Sequence, residues 1–162
     1  MTLTEYLMRY REAMEDVDEL NAQIEAMELR KERMTSKYGN KTKVKNSGGK
    51  GRDLDAALAD LILERDQLLE EANQVRDQLL NFIGQVGEKN DIGRRYRRLL
   101  RLYYAEGFSW DDVRHMLRPV HIRKDGRQVT GKRGCLSETS LFRVRLEALG
   151  QAEKEFRRLG LG

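Results

Sequence analysis

The sequence holds one cysteine, one proline and two histidines in 162 residues. Cys135 has no partner in its own chain, so no intrachain disulfide can brace the fold. One thiol with His115 and His121 also falls short of a metal-ligand set. Aromatic residues make up 7% of the chain, and 39% apolar against 36% charged residues is too polar for one large globular core. No apolar run approaches the roughly 18 residues of a membrane span. The opening from Met1 to Tyr6 has Glu5 within it and no apolar stretch, which argues against a signal peptide. Ser47 to Gly51 resembles a phosphate loop only superficially, because the GxxxxGK[ST] spacing and a preceding strand are missing. Asp111 and Asp112 stand beside Ser109, where they answer a helix dipole better than they serve acid–base chemistry. The residues contain no catalytic constellation. The expectation is therefore no enzyme, no cofactor, no metal and no membrane partner, in a cytosolic chain.

What is present is charge and helical period. Tyr6, Tyr10, Ala13, Val17, Leu20, Ile24, Met27 and Met34 alternate at spacings of four and three, with Lys31 the one break. Leu54, Leu58, Leu61, Leu68, Ala72, Val75, Leu79 and Phe82 repeat the pattern, with Arg65 the break. Sustained alternation of this kind predicts a coiled-coil seam in each of two long helices. Between them, residues 36–51 mix Gly, Ser and Asn with unpaired lysines and predict a basic, Gly-rich loop. One loop between two seams of equal length favours an antiparallel hairpin over residues 1–88, with parallel pairing between two chains as the alternative. Such an arm suits a scaffold or a homodimer interface.

Residues 84–91 predict a linker, with Asp91 as N-cap of the next helix. That helix places Ile92, Tyr96, Leu99 and Tyr103 on one face and Arg94, Arg97, Arg98 and Arg101 on the other. Charge divides along the chain: residues 92–162 carry 17 Lys/Arg against 8 Asp/Glu, net +9, and residues 1–91 carry 14 against 19, net −5. The positive field is concentrated where a polyanion would dock, so the four arginines are candidates for phosphate contact, against the plainer role of a solvated face. Gly107, Phe108 and Ser109 predict a turn, Ser109 with Asp112 a capping box, and Trp110 a core anchor. A second Ser-capped helix opens at Leu136-Ser-Glu-Thr-Ser140. Two capped helices after a turn predict a helix-turn-helix, whose second helix can enter the major groove of double-stranded DNA.

The segment from Tyr96 to Val113, with its Glu-Gly-Phe-Ser-Trp-Asp-Asp turn, resembles the first half of a sigma-70 region 4 helix-turn-helix. The segment Leu136 to Leu149, with Ser-x-x-x-Leu-Phe-Arg, looks like its recognition helix. Phage transcriptional regulators of the RinA and ArpU kind share this plan, many with an N-terminal helical hairpin. The resemblance covers architecture over the chain and sequence detail over residues 94–149. It implies a phage or prophage DNA-binding transcription regulator in the cytoplasm of a bacterial host cell, with contact to RNA polymerase.

The chain departs from the family at residues 118–136, which replace a turn of a few residues. Asp125-Gly126 between Ile122 and Val129 predicts a small inserted β-hairpin, with Arg123, Lys124 and Arg127 as backbone-contacting candidates. The expected fold is thus mainly all-α, with the hairpin arm at 1–88 and a helix-turn-helix domain at 89–162. On the recognition helix, Leu141, Val144, Ala148 and Ala152 face inward, leaving Thr139, Ser140, Arg143 and Glu147 as the groove-reading face. Arginine's planar fork fits guanine O6 and N7, whereas Ser and Thr suit phosphate or less specific contacts, and capping alone is the other role open to Thr139 and Ser140. Phe142, Leu146, Leu149 and Phe156 make a second apolar stripe that needs a partner, a second subunit among them. Two other functions remain open: a small-terminase-like packaging protein, which a large ring in solution would favour, and a coiled-coil adaptor, which protein binding without DNA binding would favour.

Overall fold

The computed structural model describes residues 1–38, 50–117, 120–122, 125–126, 128–130 and 134–162. The fold is mainly helical. Thr2 and Glu5 open α1 (Leu3–Tyr38) reciprocally: the Thr2 N–H donates to Glu5 Oε2 at 2.6 Å and the Glu5 N–H to Thr2 Oγ1 at 3.2 Å. These bonds occupy amide donors that a helix start leaves unpaired, and they hold the Glu5 carboxyl below its ordinary pKa. α2 covers Lys50–Gln85, so Gly84 is helical rather than part of a linker, and both ends of the expected 36–51 loop are helical as well. The body of that loop lies outside the described residues.

Two compact units divide the chain, one formed by residues 1–11 with 75–162 and the other by residues 12–74. This division does not coincide with the boundary at residue 88 read from the sequence. The reason is a shared core: Leu3 and Leu7 of α1 and Leu79, Phe82, Ile83 and Val86 of α2 are buried in one cluster with Leu99, Leu100, Val113, Leu117, Leu136 and Phe156. In the other unit Val17, Leu20, Ile24 and Ala72 are buried, and the remaining apolar side chains at the heptad spacing are half-buried. Lys31 of α1 and Asp55 of α2 form an ion pair there at 2.6 Å.

The first unit continues with α3 (Asp91–Leu100), a π-helical segment (Arg101–Ala105), α4 (Trp110–Met116) and α5 (Glu138–Arg158). The N-cap of α3 is Asn90 and not Asp91: its side chain accepts from the Gly93 N–H at 2.8 Å. Asn and Asp cap equally well, so neighbouring candidates are decided by where the chain turns. Leu99 of the expected apolar face is buried, but Ile92 of the same face is 38% exposed and Leu100, outside it, is buried. The π segment explains the shift at the far end of the helix. Its wider turn lets Leu102, Tyr104 and Ala105 all be buried, a run that an unbroken α-helix would turn partly to solvent. Gly107 follows at φ +76°, a left-handed conformation that glycine adopts without strain, and it ends the helix.

Between α4 and α5, β1 (Val120–Ile122) pairs antiparallel with β2 (Gln128–Thr130), His121 opposite Val129. Gly126, at φ +79°, lies between the two strands. Arg123, Lys124 and Arg127 lie outside the described residues.

Candidate nucleic-acid interface

Both short-turn helices are capped as their sequences predict. Ser109 opens α4: its Oγ accepts from the Asp112 N–H at 3.2 Å, and Asp112 Oδ2 accepts from the Ser109 N–H at 3.2 Å and from Ser109 Oγ at 2.6 Å. The Ser109 hydroxyl and amide hold the Asp112 carboxyl below its ordinary value. Ser137 opens α5, its Oγ accepting from the Ser140 N–H at 3.1 Å. The Leu136 N–H donates to the Arg114 carbonyl at 3.1 Å, which ties the entry of α5 to the last turn of α4.

α5 is two-sided. Leu141, Val144, Ala148, Ala152 and Phe156 are buried along one side. Thr139, Ser140, Arg143 and Glu147 are exposed. They are not equivalent, because Glu147 Oε2 accepts from the Tyr96 hydroxyl of α3 at 2.8 Å. Burial, then the bond to Glu147, pushes the Tyr96 phenol up to about 12. A glutamate held by a neighbouring helix orients α5 more directly than it reads a groove. Ser140 is also drawn into the cap, since its hydroxyl accepts from Ser137 Oγ at 2.9 Å.

The proposed apolar stripe divides in the same way. Phe156 needs no external partner, because it is buried against Tyr6 at 5.5 Å and Phe82 at 6.2 Å between ring centroids. Leu149 packs half-buried against the same core. Phe142 and Leu146 remain exposed. Helical period alone grouped the four residues; the first eleven residues of the chain, which supply Tyr6, could not be placed by it.

The four arginines of α3 and its continuation do not form one free cluster. Arg97 donates to the carbonyls of Val86 at 2.9 Å and Glu88 at 3.1 Å, closing the α2–α3 turn. Arg101 pairs with Glu106 at 2.6 Å. Arg94 makes only a long, exposed pair with Asp91 at 3.4 Å, and Arg98 is exposed. Arg95, which the sequence did not single out, is half-buried, and burial lowers its pKa against the field of Glu147.

Sequence reasoning also missed what holds α4 and α5 in place. Trp110 is half-buried and stacks on Tyr103 with ring centroids 3.8 Å apart and planes 14° apart. The Arg145 guanidinium of α5 lies 4.3 Å from the Trp110 ring, and Arg11 of α1 lies 4.6 Å from the Tyr103 ring. Each contact is a cation over an aromatic face. Arg11 also donates to the Tyr103 carbonyl at 3.0 Å and the Phe108 carbonyl at 3.3 Å, and Arg76 donates to the Ala105 carbonyl at 3.1 Å. A helix end leaves carbonyls without partners, and these two arginines supply donors. Arg11 and Arg76 sit far from this segment in sequence, so no local pattern signals the contact.

Among the described residues no three His, Cys, Asp or Glu side chains group as a metal site, and no helix is long and apolar enough to cross a membrane. Cys135 is exposed. The exposed side of α5 presents a planar guanidinium and hydroxyls, with further exposed arginines on α3. No protein-family model, curated protein or solved structure matches the chain.

Proposed function

We propose that the chain binds double-stranded DNA sequence-specifically and regulates transcription, as the phage and prophage regulators it resembles do, with α5 entering the major groove. The observation that carries this reading is the two-sidedness of α5: five core residues on one side, and Thr139, Ser140 and Arg143 exposed on the other, just past a capped N-terminus. Arg143 is the base reader, by the fit of its fork to guanine, and Thr139 and Ser140 contact phosphate or bases less specifically. Arg94 and Arg98 contact phosphate, within the net +9 field of residues 92–162. Arg97, Arg101 and Glu147 act through the fold, by the contacts described above. In this reading Arg123, Lys124 and Arg127 of the insertion contact the DNA backbone, by their charge.

In the same reading α1 and α2 form an antiparallel coiled-coil hairpin. Support comes from burial at the heptad positions and from the Lys31–Asp55 pair. This arm is the surface for homodimerisation or for RNA polymerase, in the cytoplasm of a bacterial host.

Selection of binding sites from random duplexes tests the proposal, with an enriched motif as the expected result. Arg143→Ala then removes discrimination at one base position, a loss of about 1–3 kcal/mol on the best site. Arg98→Ala weakens all duplexes alike and lowers the salt slope by about one counterion. No enrichment at low salt, or an Arg143→Ala variant that ranks sites as the parent does, overturns the assignment.

A further inference from the structure

The exposed side of α5 carries more than polar groups. Phe142 is 59% exposed and Leu146 55% exposed, and Phe142 is the one exposed aromatic ring among the described side chains. They stand four residues apart, one turn on the same face, with Thr139 and Arg143 beside them. Neither belongs to the core cluster, which takes up Leu149 and Phe156 from the same helix. Two large apolar side chains thus lie within an otherwise polar face.

Charge indicates what covers them. Arg143 adjoins Phe142, and Arg94 and Arg98 are exposed on α3. Of the carboxylates on α5, Glu153 accepts from Arg157 at 2.9 Å and Glu147 is held in place by the Tyr96 hydroxyl. A second copy would bring the net +9 of residues 92–162 against itself, since a two-fold interface sets the same surface against itself. A polyanion fits better, and it must offer apolar groups at the depth a helix reaches. In the major groove of DNA, those groups are the 5-methyl groups of thymine. RNA lacks both the methyl group and an accessible major groove.

We propose that Phe142, with Leu146 one turn further along α5, reads thymine methyl groups in the major groove next to the base read by Arg143. The inference rests on the DNA-binding reading above and adds to it the recognition of thymine.

The test uses the full chain and the duplex selected for it. Each thymine of the site is replaced in turn by deoxyuracil, which removes the methyl group and leaves base pairing intact. The expected result is one or two positions where the parent protein loses affinity about fourfold, the effect of one buried methyl group. Phe142→Ala should bind the intact site correspondingly more weakly and be indifferent to deoxyuracil at one of those positions. Because the parent protein alone reports the methyl effect, that arm does not depend on the variant's folding.

A selected site without thymine, or deoxyuracil duplexes bound as tightly as thymine duplexes, overturns the proposal while leaving DNA binding intact. So does a Phe142→Ala variant that keeps the parent's full sensitivity to the methyl group. If Phe142→Ala binds DNA normally and light scattering shows a lost dimer, the surface belongs to a second copy and the proposal falls. Failure of the parent protein to bind any duplex at low salt instead refutes the DNA-binding reading itself.

Discussion

Gly93 and Gly150 both lie inside helices, and the same substitution should move stability in opposite directions at the two positions. A Cβ on Gly93 would stand 1.9 Å from the Glu88 carbonyl oxygen, 2.9 Å from its carbon and 3.1 Å from the Glu88 nitrogen. All three are backbone atoms, and the turn that carries them is held. Arg97 donates to the Glu88 carbonyl at 3.1 Å and to the Val86 carbonyl at 2.9 Å, and Asn90 accepts from the Gly93 amide at 2.8 Å. Relieving the overlap means shifting that turn. Overpacking of this kind costs about 1–3 kcal/mol, and with only backbone to yield the upper end applies. Alanine's better helix propensity returns about 1 kcal/mol, leaving a net loss of about 2 kcal/mol. For a chain of this size that lowers the melting temperature by about 4–8 °C.

Gly150, in α5, has nothing within 4 Å of the place a methyl group would take, so Gly150→Ala keeps the propensity gain and should melt about 2–4 °C higher. Trp110 is the single tryptophan and lies in the same unit as both glycines, so its fluorescence during heating reads the relevant transition. A Gly93→Ala protein melting at or above the parent would refute the claim that the α2–α3 turn needs bare backbone at this position. A Gly150→Ala protein melting lower would refute the propensity argument.

Two further outcomes follow from the aromatic and phenolic contacts. Trp110→Ala removes the stack on Tyr103 and the cation contact with Arg145, and should cost about 2–4 kcal/mol, below the full-burial range because the ring is half-buried; a denaturant midpoint within experimental error of the parent's would count against the stack as a support. The absorbance difference between the parent and Tyr96→Phe on alkaline titration should show one phenol ionising near 12. Since the folded value lies above the ordinary 10.0, the stability it contributes is complete below that pH and is lost as pH rises through about 12; a difference midpoint near 10.0 would show that burial and Glu147 do not hold the proton.

Local signals carried far in this sequence, and long-range ones were silent. Ser109 and Ser137 identify helix starts because a cap is a relation among residues three apart. Val17, Leu20, Ile24, Leu79 and Phe82 are buried where the three–four alternation puts them. Asn90 displaced Asp91 because two equivalent capping side chains adjoin and only the path of the turn chooses between them. The π segment was not legible, since a period of 3.6 gives no sign of one extra residue in a turn. Its partners were not legible either: Arg11 and Arg76 lie far from it in sequence, and only the folded chain brings their guanidinium groups to carbonyls of residues 103–108. Among the site residues, outward orientation of Thr139, Ser140 and Arg143 was readable from the helical wheel. The attachment of Glu147 to Tyr96 needed the crossing of α3 and α5.

The cluster of Tyr6, Phe82 and Phe156 sets the order in which the chain can mature. Tyr6 is made before its ring partners, with Leu3 and Leu7 beside it: Phe82 follows much later and Phe156 later still. Until α5 has been synthesised, the apolar start of α1 has no completed place to bury itself. Residues 12–74 face no such delay, because the partners of their buried side chains lie within the same stretch. Synthesis at roughly 5–20 residues per second therefore leaves an interval of several seconds in which the middle of the chain can pair while its beginning waits. In a nascent chain stalled before α5, proteases should cut near Tyr6 well before they cut near Val17.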